Sequence, residues 1–233
     1  MTAIYRREMQ GYFHTAVGYV YMGVFLAISS VMFYALNLRE RSSDLLAFIG
    51  YMSYLWMLLS PVLTMRLLAE ERRTRTDQLL LTSPVSLPGV ILGKYLAAVS
   101  VMLLTLLCTG CYVLIVALYG RVYPGELAAG YLGFALQGCA FLAMDLFVSG
   151  LCRSPVTAAI AAFGANLAMW MLDLLAAAAP GWLAAVLEFI SLYARNEPFL
   201  MGQLSFASIV YDLSFAAAFL ALGVFTLHAR RVK

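Results

Sequence analysis

Charge is what this sequence has least of. Asp, Glu, Lys and Arg make up 12% of its 233 residues, half of the roughly 25% usual in a soluble domain. So little polar surface cannot cover a particle in water, which excludes an ordinary soluble enzyme and makes lipid the solvent. Histidine is also scarce. His14 and His228 both lie outside the apolar runs, which leaves histidine-based chemistry within the membrane without support. Four cysteines, Cys108, Cys111, Cys139 and Cys152, sit in or beside apolar runs, and the single C-x-x-C has no second pair or histidine cluster to complete a metal site. They read as small buried hydrophobes. A nucleotide-binding loop is missing too. Gly89-Val-Ile-Leu-Gly93-Lys94-Tyr95 has three residues between its glycines and Tyr after Lys, where a phosphate loop needs four and then Ser or Thr to hold magnesium. This chain is expected to hydrolyse nothing by itself and to need no cofactor or metal of its own.

What is present is hydrophobicity: 64% of residues are apolar and the mean hydropathy is +0.88. A hydrocarbon core of roughly 30 Å takes about 20 apolar residues per helix. The apolar runs predict an all-α polytopic membrane protein, one transmembrane domain over 1–233, with six spans near 17–38, 45–65, 95–118, 127–151, 156–175 and 205–227. Arg6 and Arg7 precede the first run, which is too long for a signal h-region and reads as a retained span. Pro61 lies inside the second span, where a neighbouring helix must satisfy the carbonyl it frees. The stretch 179–203, with Trp182, Glu188, Tyr193, Arg195 and Glu197, is less apolar and predicts a short interfacial or re-entrant helix. Ala158, Ala161, Ala162 and Ala165 give the fifth span small-x-x-x-small spacing, a weak sign of close helix approach.

Alternate connections divide the basic residues unevenly. Arg6, Arg7, Arg66, Arg72, Arg73, Arg75, Lys94, Arg153, Arg230, Arg231 and Lys233 fall on one side, whereas Arg39, Arg41, Arg121 and Arg195 fall on the other. The richer side is retained in the cytoplasm, which predicts cytoplasmic termini and agrees with an even number of spans. That side also carries the most polar segment, Arg66 to Lys94. Within it Glu70, Glu71, Arg72, Arg73 and Thr76 lead to Leu79 and Leu80. A minimal hairpin needs only a few residues, so the segment reads as a docking helix for a cytoplasmic partner, against the plainer reading of a solvated, lipid-attracting turn. From Ile4 to Phe13, the apolar Tyr5, Met9, Tyr12 and Phe13 recur at helical steps among Arg6, Arg7 and Glu8. Arg6, Arg7, Tyr12 and Phe13 thus mark an amphipathic interfacial helix.

Taken together, Arg7-Glu8, Tyr12-Phe13, Met65 to Glu71, Thr76 with Leu79 to Thr82, Gly93-Lys94-Tyr95, Ser149 and the stretch around Tyr211 resemble the membrane subunits of type-2 ABC exporters, most closely the gliding-motility-type permeases. The resemblance covers nearly the whole chain. It implies a six-span permease of the bacterial inner membrane that pairs with an identical or related chain. It also implies a separate ATPase that binds ATP and magnesium and grips the segment between spans two and three as a coupling helix. An accessory membrane or extracytoplasmic subunit fits the same picture; nucleic acid does not. Arg75 stands where glycine is common and Gln78 where glutamate is common, so the docking contact departs from the family's pattern.

Asp145 and Asp212 stand where uncharged residues are expected. Intramembrane carboxylates are costly and are functional candidates by default. Asp145 lies about 12 Å along the helix from the boundary at Arg153, and Asp212 about a third of the way into the sixth span. Both are candidates for the transport path or for helix–helix hydrogen bonds; Asp173 reads as an exposed interface residue. Two other readings stand beside the permease: an intramembrane aspartyl enzyme using Asp145 and Asp212, which lacks the Gly-x-Gly-Asp of such enzymes, and a non-transporting membrane anchor.

Overall fold

The computed structural model describes residues 1–74 and 86–229 with their side chains, and the backbone of 230 and 231. Among them the regular elements are all helical. In chain order they are α1 (Thr2–His14), α2 (Ala16–Phe33, running on as a π-helical turn, Tyr34–Arg39), α3 (Leu45–Thr64) and the short α4 (Ala69–Arg73). Then come α5 (Leu87–Tyr119), α6 (Pro124–Leu151), α7 (Pro155–Ala178), α8 (Gly181–Ile190), α9 (Leu192–Leu200) and α10 (Phe206–Arg231). Six of these, α2, α3 with its continuation, α5, α6, α7 and α10, are long and apolar enough to cross a membrane. This chain is an all-α, multi-pass membrane protein.

Two boundaries differ from expectation. The third span begins at Leu87, not near Tyr95. Lys94 therefore belongs to a membrane helix and is 1% exposed, so it is no surface cation of a connecting loop. The stretch 179–203 holds two short helices, α8 and α9, rather than one. Ser191 separates them, and its hydroxyl accepts from Ala194 N–H to start the second.

The core forms around α3 and α6, whose spans are 61% and 67% buried, against 17% for α10. Trp56 of α3 is its centre. It meets Tyr21 and Phe25 of α2 and Phe134 of α6 edge-on at about 6 Å, an arrangement that aligns ring edges with ring faces. Close approach on α6 depends on Gly133, where a Cβ would lie 2.5 Å from Cβ of Phe199 on α9. Gly202, at φ +73°, makes the left-handed turn from α9 towards α10 against Glu126. Two ends result. One gathers α1, α4, the start of α5 and the end of α6. The other gathers the turns at 39–44 and 120–123 with α8 and α9.

Candidate functional site

The apolar face of α1 is spent on the protein itself. Tyr12 is buried and donates to the carbonyl of Leu63 at 2.8 Å; Tyr5 shares a hydrogen bond with Ser100 of α5 at 3.0 Å. Ile4 lies over Gly93, where a Cβ would come within 3.1 Å of it. Arg6 remains exposed, and Phe13 is half-buried with its ring edge-on to Tyr19 at 5.4 Å.

That seating delivers Glu8 to Lys94. The Lys94 ammonium donates to Glu8 at 2.9 Å and to Glu71 of α4 at 2.8 Å. Arg7 donates to the same two carboxylates, 2.8 Å from Glu8. Two cations and two anions from three separate elements thus close on one another. Burial pushes the Glu8 carboxyl up, but Lys94 and Arg7 outweigh it and hold it below its ordinary range. Burial likewise opposes the charge on Arg7, and Glu8 and Glu71 raise its pKa in spite of it. Beside the cluster opens a cleft of about 410 Å³, lined also by Tyr12, Arg66, Glu70 and Thr74.

The rest of α4 is tied to α6. Arg72 donates to the carbonyls of Leu151 (2.9 Å) and Cys152 (3.2 Å), satisfying the end of that helix and placing positive charge at its negative pole. Ser149 accepts from Ala69 N–H at 3.4 Å and donates to the Met65 carbonyl at 3.3 Å, joining the α3–α4 corner to the same end. Glu70 makes long exposed pairs with Arg66 (3.5 Å) and Arg73 (3.6 Å), which contribute little. Of the predicted docking residues, Glu70, Glu71, Arg72 and Arg73 lie together on α4; Thr76, Leu79 and Leu80 lie outside the described residues, as do Arg75 and Gln78.

Within the spans the two carboxylates part company. Asp145 is fully buried on α6 and accepts from Ser60 of α3 at 2.7 Å and from Asn166 of α7 at 3.4 Å. Asn166 also donates to the Met57 carbonyl at 3.1 Å, the group left without an in-helix donor by Pro61, four residues on. Asp212, on α10, is 1% exposed, and neither of its oxygens has a partner among the described residues. No hydrogen bond joins the two, as an aspartyl dyad would require. Asp173 accepts from Ser191 at 3.4 Å.

The sequence model described as "ABC-2 family transporter protein" matches residues 7–224. The chain is an ABC-2 family member. No curated protein matches the sequence significantly. As an ABC-2 chain it is a permease subunit of a transporter, and the matched range takes in α1 from Arg7, the first five spans and the sixth as far as residue 224. Reasoning on sequence alone passed over Glu8, Lys94, Ser60 and Asn166 as site residues. Lys94 had one visible signal, a lone cation at the head of an apolar run with acidic residues at the same end.

Proposed function

We propose that this ABC-2 permease is half of an ATP-driven exporter of the bacterial inner membrane, of the gliding-motility type, with both termini in the cytoplasm. A separate ATPase, holding ATP and magnesium, docks on the segment running from Glu70 through Thr76, Leu79 and Leu80. A second permease chain, identical or related, completes the path. The observation that carries this reading is the burial of Lys94 between Glu8 of α1 and Glu71 of α4. A push on the docking segment reaches α5 through Lys94 and α6 through Arg72 and Ser149. Two stiff spans then receive one displacement, which is what a switch between two helix packings needs. Asp145 and Asp212 are candidates to line the path.

The test is recovery of a nucleotide-hydrolysing companion in mild detergent, followed by cross-linking from a cysteine placed at Leu79. Glu8→Gln, which lies outside the docking segment and leaves Lys94 its pair with Glu71, should keep ATPase binding while lowering transport-linked hydrolysis. Absence of any such companion, or protease access to the docking segment from outside the cell, would defeat the proposal.

A further inference from the structure

The last span is held on the bundle almost without polar contacts. Of the six spans α10 is the least buried, at 17%, and it meets α6 through apolar pairs such as Phe219 with Phe147, ring centroids 5.7 Å apart. Among the described residues no α10 side chain hydrogen-bonds another span; Tyr211 alone reaches out, donating to the Ile190 carbonyl of α8 at 2.7 Å. Asp212 interrupts this seam. It is 1% exposed, and neither of its oxygens reaches solvent or has a partner among the described residues. A buried carboxylate anion needs donors on its oxygens, or a cation against them. Helices spend their N–H groups on their own carbonyls, whereas each of those carbonyls keeps a second lone pair. Such a bundle interior can accept from a carboxylic acid O–H and has little to donate to an anion.

No neighbouring group makes up for this. Cys139 of α6 and Tyr211 of α10 interact with Asp212 but carry no positive charge. On α5, Tyr95 gives its hydroxyl to the Cys139 carbonyl at 3.1 Å, and Lys94 is committed to Glu8 and Glu71. Glu188 of α8 and Glu197 of α9 are exposed. The cation whose charge acts on Asp212 is Arg195 of α9, yet the two form no ion pair. Its guanidinium lies over the rings of Phe189 (5.0 Å) and Tyr211 (5.3 Å), and its Nε is buried without a partner. An anion at 212 would draw this guanidinium off the ring of the preceding residue. We propose that Asp212 is a proton-binding site in the α6–α10 seam, occupied in this packing and emptied when α10 shifts and Arg195 becomes its counter-ion. The acid O–H bond breaks, the proton passes to water, and the electron pair stays on the carboxylate that the guanidinium then meets. Neither an ATPase nor a cargo is needed, so this site stands or falls apart from the exporter reading.

Infrared spectroscopy of the full chain in lipid nanodiscs, without any ATPase, reads the proton directly. At about pH 6, where an ordinary aspartate is ionised, a carboxylic acid carbonyl band should be present. It should vanish in Asp212→Asn and persist in Asp145→Asn. Because asparagine copies the neutral acid, Asp212→Asn should purify with a thermal midpoint no lower than the parent's. Raising the pH should bleach the band. In Arg195→Gln the bleaching should need a pH higher by about one unit or more, the effect of losing a nearby cation, and Arg195→Lys should restore the parent's behaviour. No acid band at about pH 6, a band indifferent to Asp212→Asn, or an asparagine variant that unfolds would each overturn the proton site. A bleaching pH unmoved by Arg195→Gln would overturn the counter-ion.

Discussion

The molecule buries polar groups in two places and treats them oppositely. At the α1 end, Lys94 is enclosed by full opposite charges from α1 and α4. Inside the spans, Asp145 meets only a hydroxyl and an amide from α3 and α7. The first arrangement joins separate elements through charge, and its strength rests on every partner being present. The second joins spans through hydrogen bonds from uncharged donors, and side-chain hydrogen bonds between membrane helices average about 0.6 kcal/mol each. A tie among α1, α4 and α5 and a tie between neighbouring spans are thus made from different chemistry.

Substitution at Lys94 tests this contrast most severely. Lys94→Met leaves Glu8 and Glu71 with the half-exposed Arg7 but without their buried ammonium, and breaking one side of a buried pair costs up to about 3–5 kcal/mol. The thermal midpoint of the detergent-solubilised chain should fall steeply and recover when Glu8→Gln and Glu71→Gln are added. A fall no larger than that of an exposed arginine would erase the distinction. Asn166→Leu comes next: it removes a donor from the Met57 carbonyl, Ser60 and Asp145 together. A loss of about 1–3 kcal/mol is expected for buried groups left unpaired, read by the same midpoint. Unlike Lys94→Met, it should not be repaired by removing a carboxylate. Arg7→Gln is milder, because the side chain is 56% exposed and such pairs contribute roughly 0.2–1 kcal/mol.

Acid is the gentlest probe. Glu8 titrates below its ordinary value of 4.5 in the folded chain. Its contribution is complete above that value and disappears as pH falls through the lower folded value. Below pH 4.5 the midpoint should drop more steeply in the parent than in the triple variant lacking the cluster. Parallel curves would show that Glu8 carries no such linkage.

The spans were legible because twenty apolar residues in a row have few alternatives to crossing a bilayer. The amphipathic steps at Tyr5, Met9, Tyr12 and Phe13 were legible as a helix, and its apolar face packs on α2, α3 and α5. Periodicity states that a face is apolar, not what it meets. Lys94 was misjudged for a related reason. Its partners lie 86 and 23 residues away, and its place at the head of an apolar run does not say which acidic residues will reach it. Gly133 was equally silent, since its use is fixed by Phe199 arriving from another helix.

Pro61 gives α3 a missing rung, and Asn166 fills it from another span. The stiffness of α3 is therefore not a property of α3 alone. Drawing α7 away would leave the Met57 carbonyl without its donor and convert the last turns of α3, just before α4, into a joint. Bending at one end of the bundle is thereby governed by a side chain on a helix that need not bend at all.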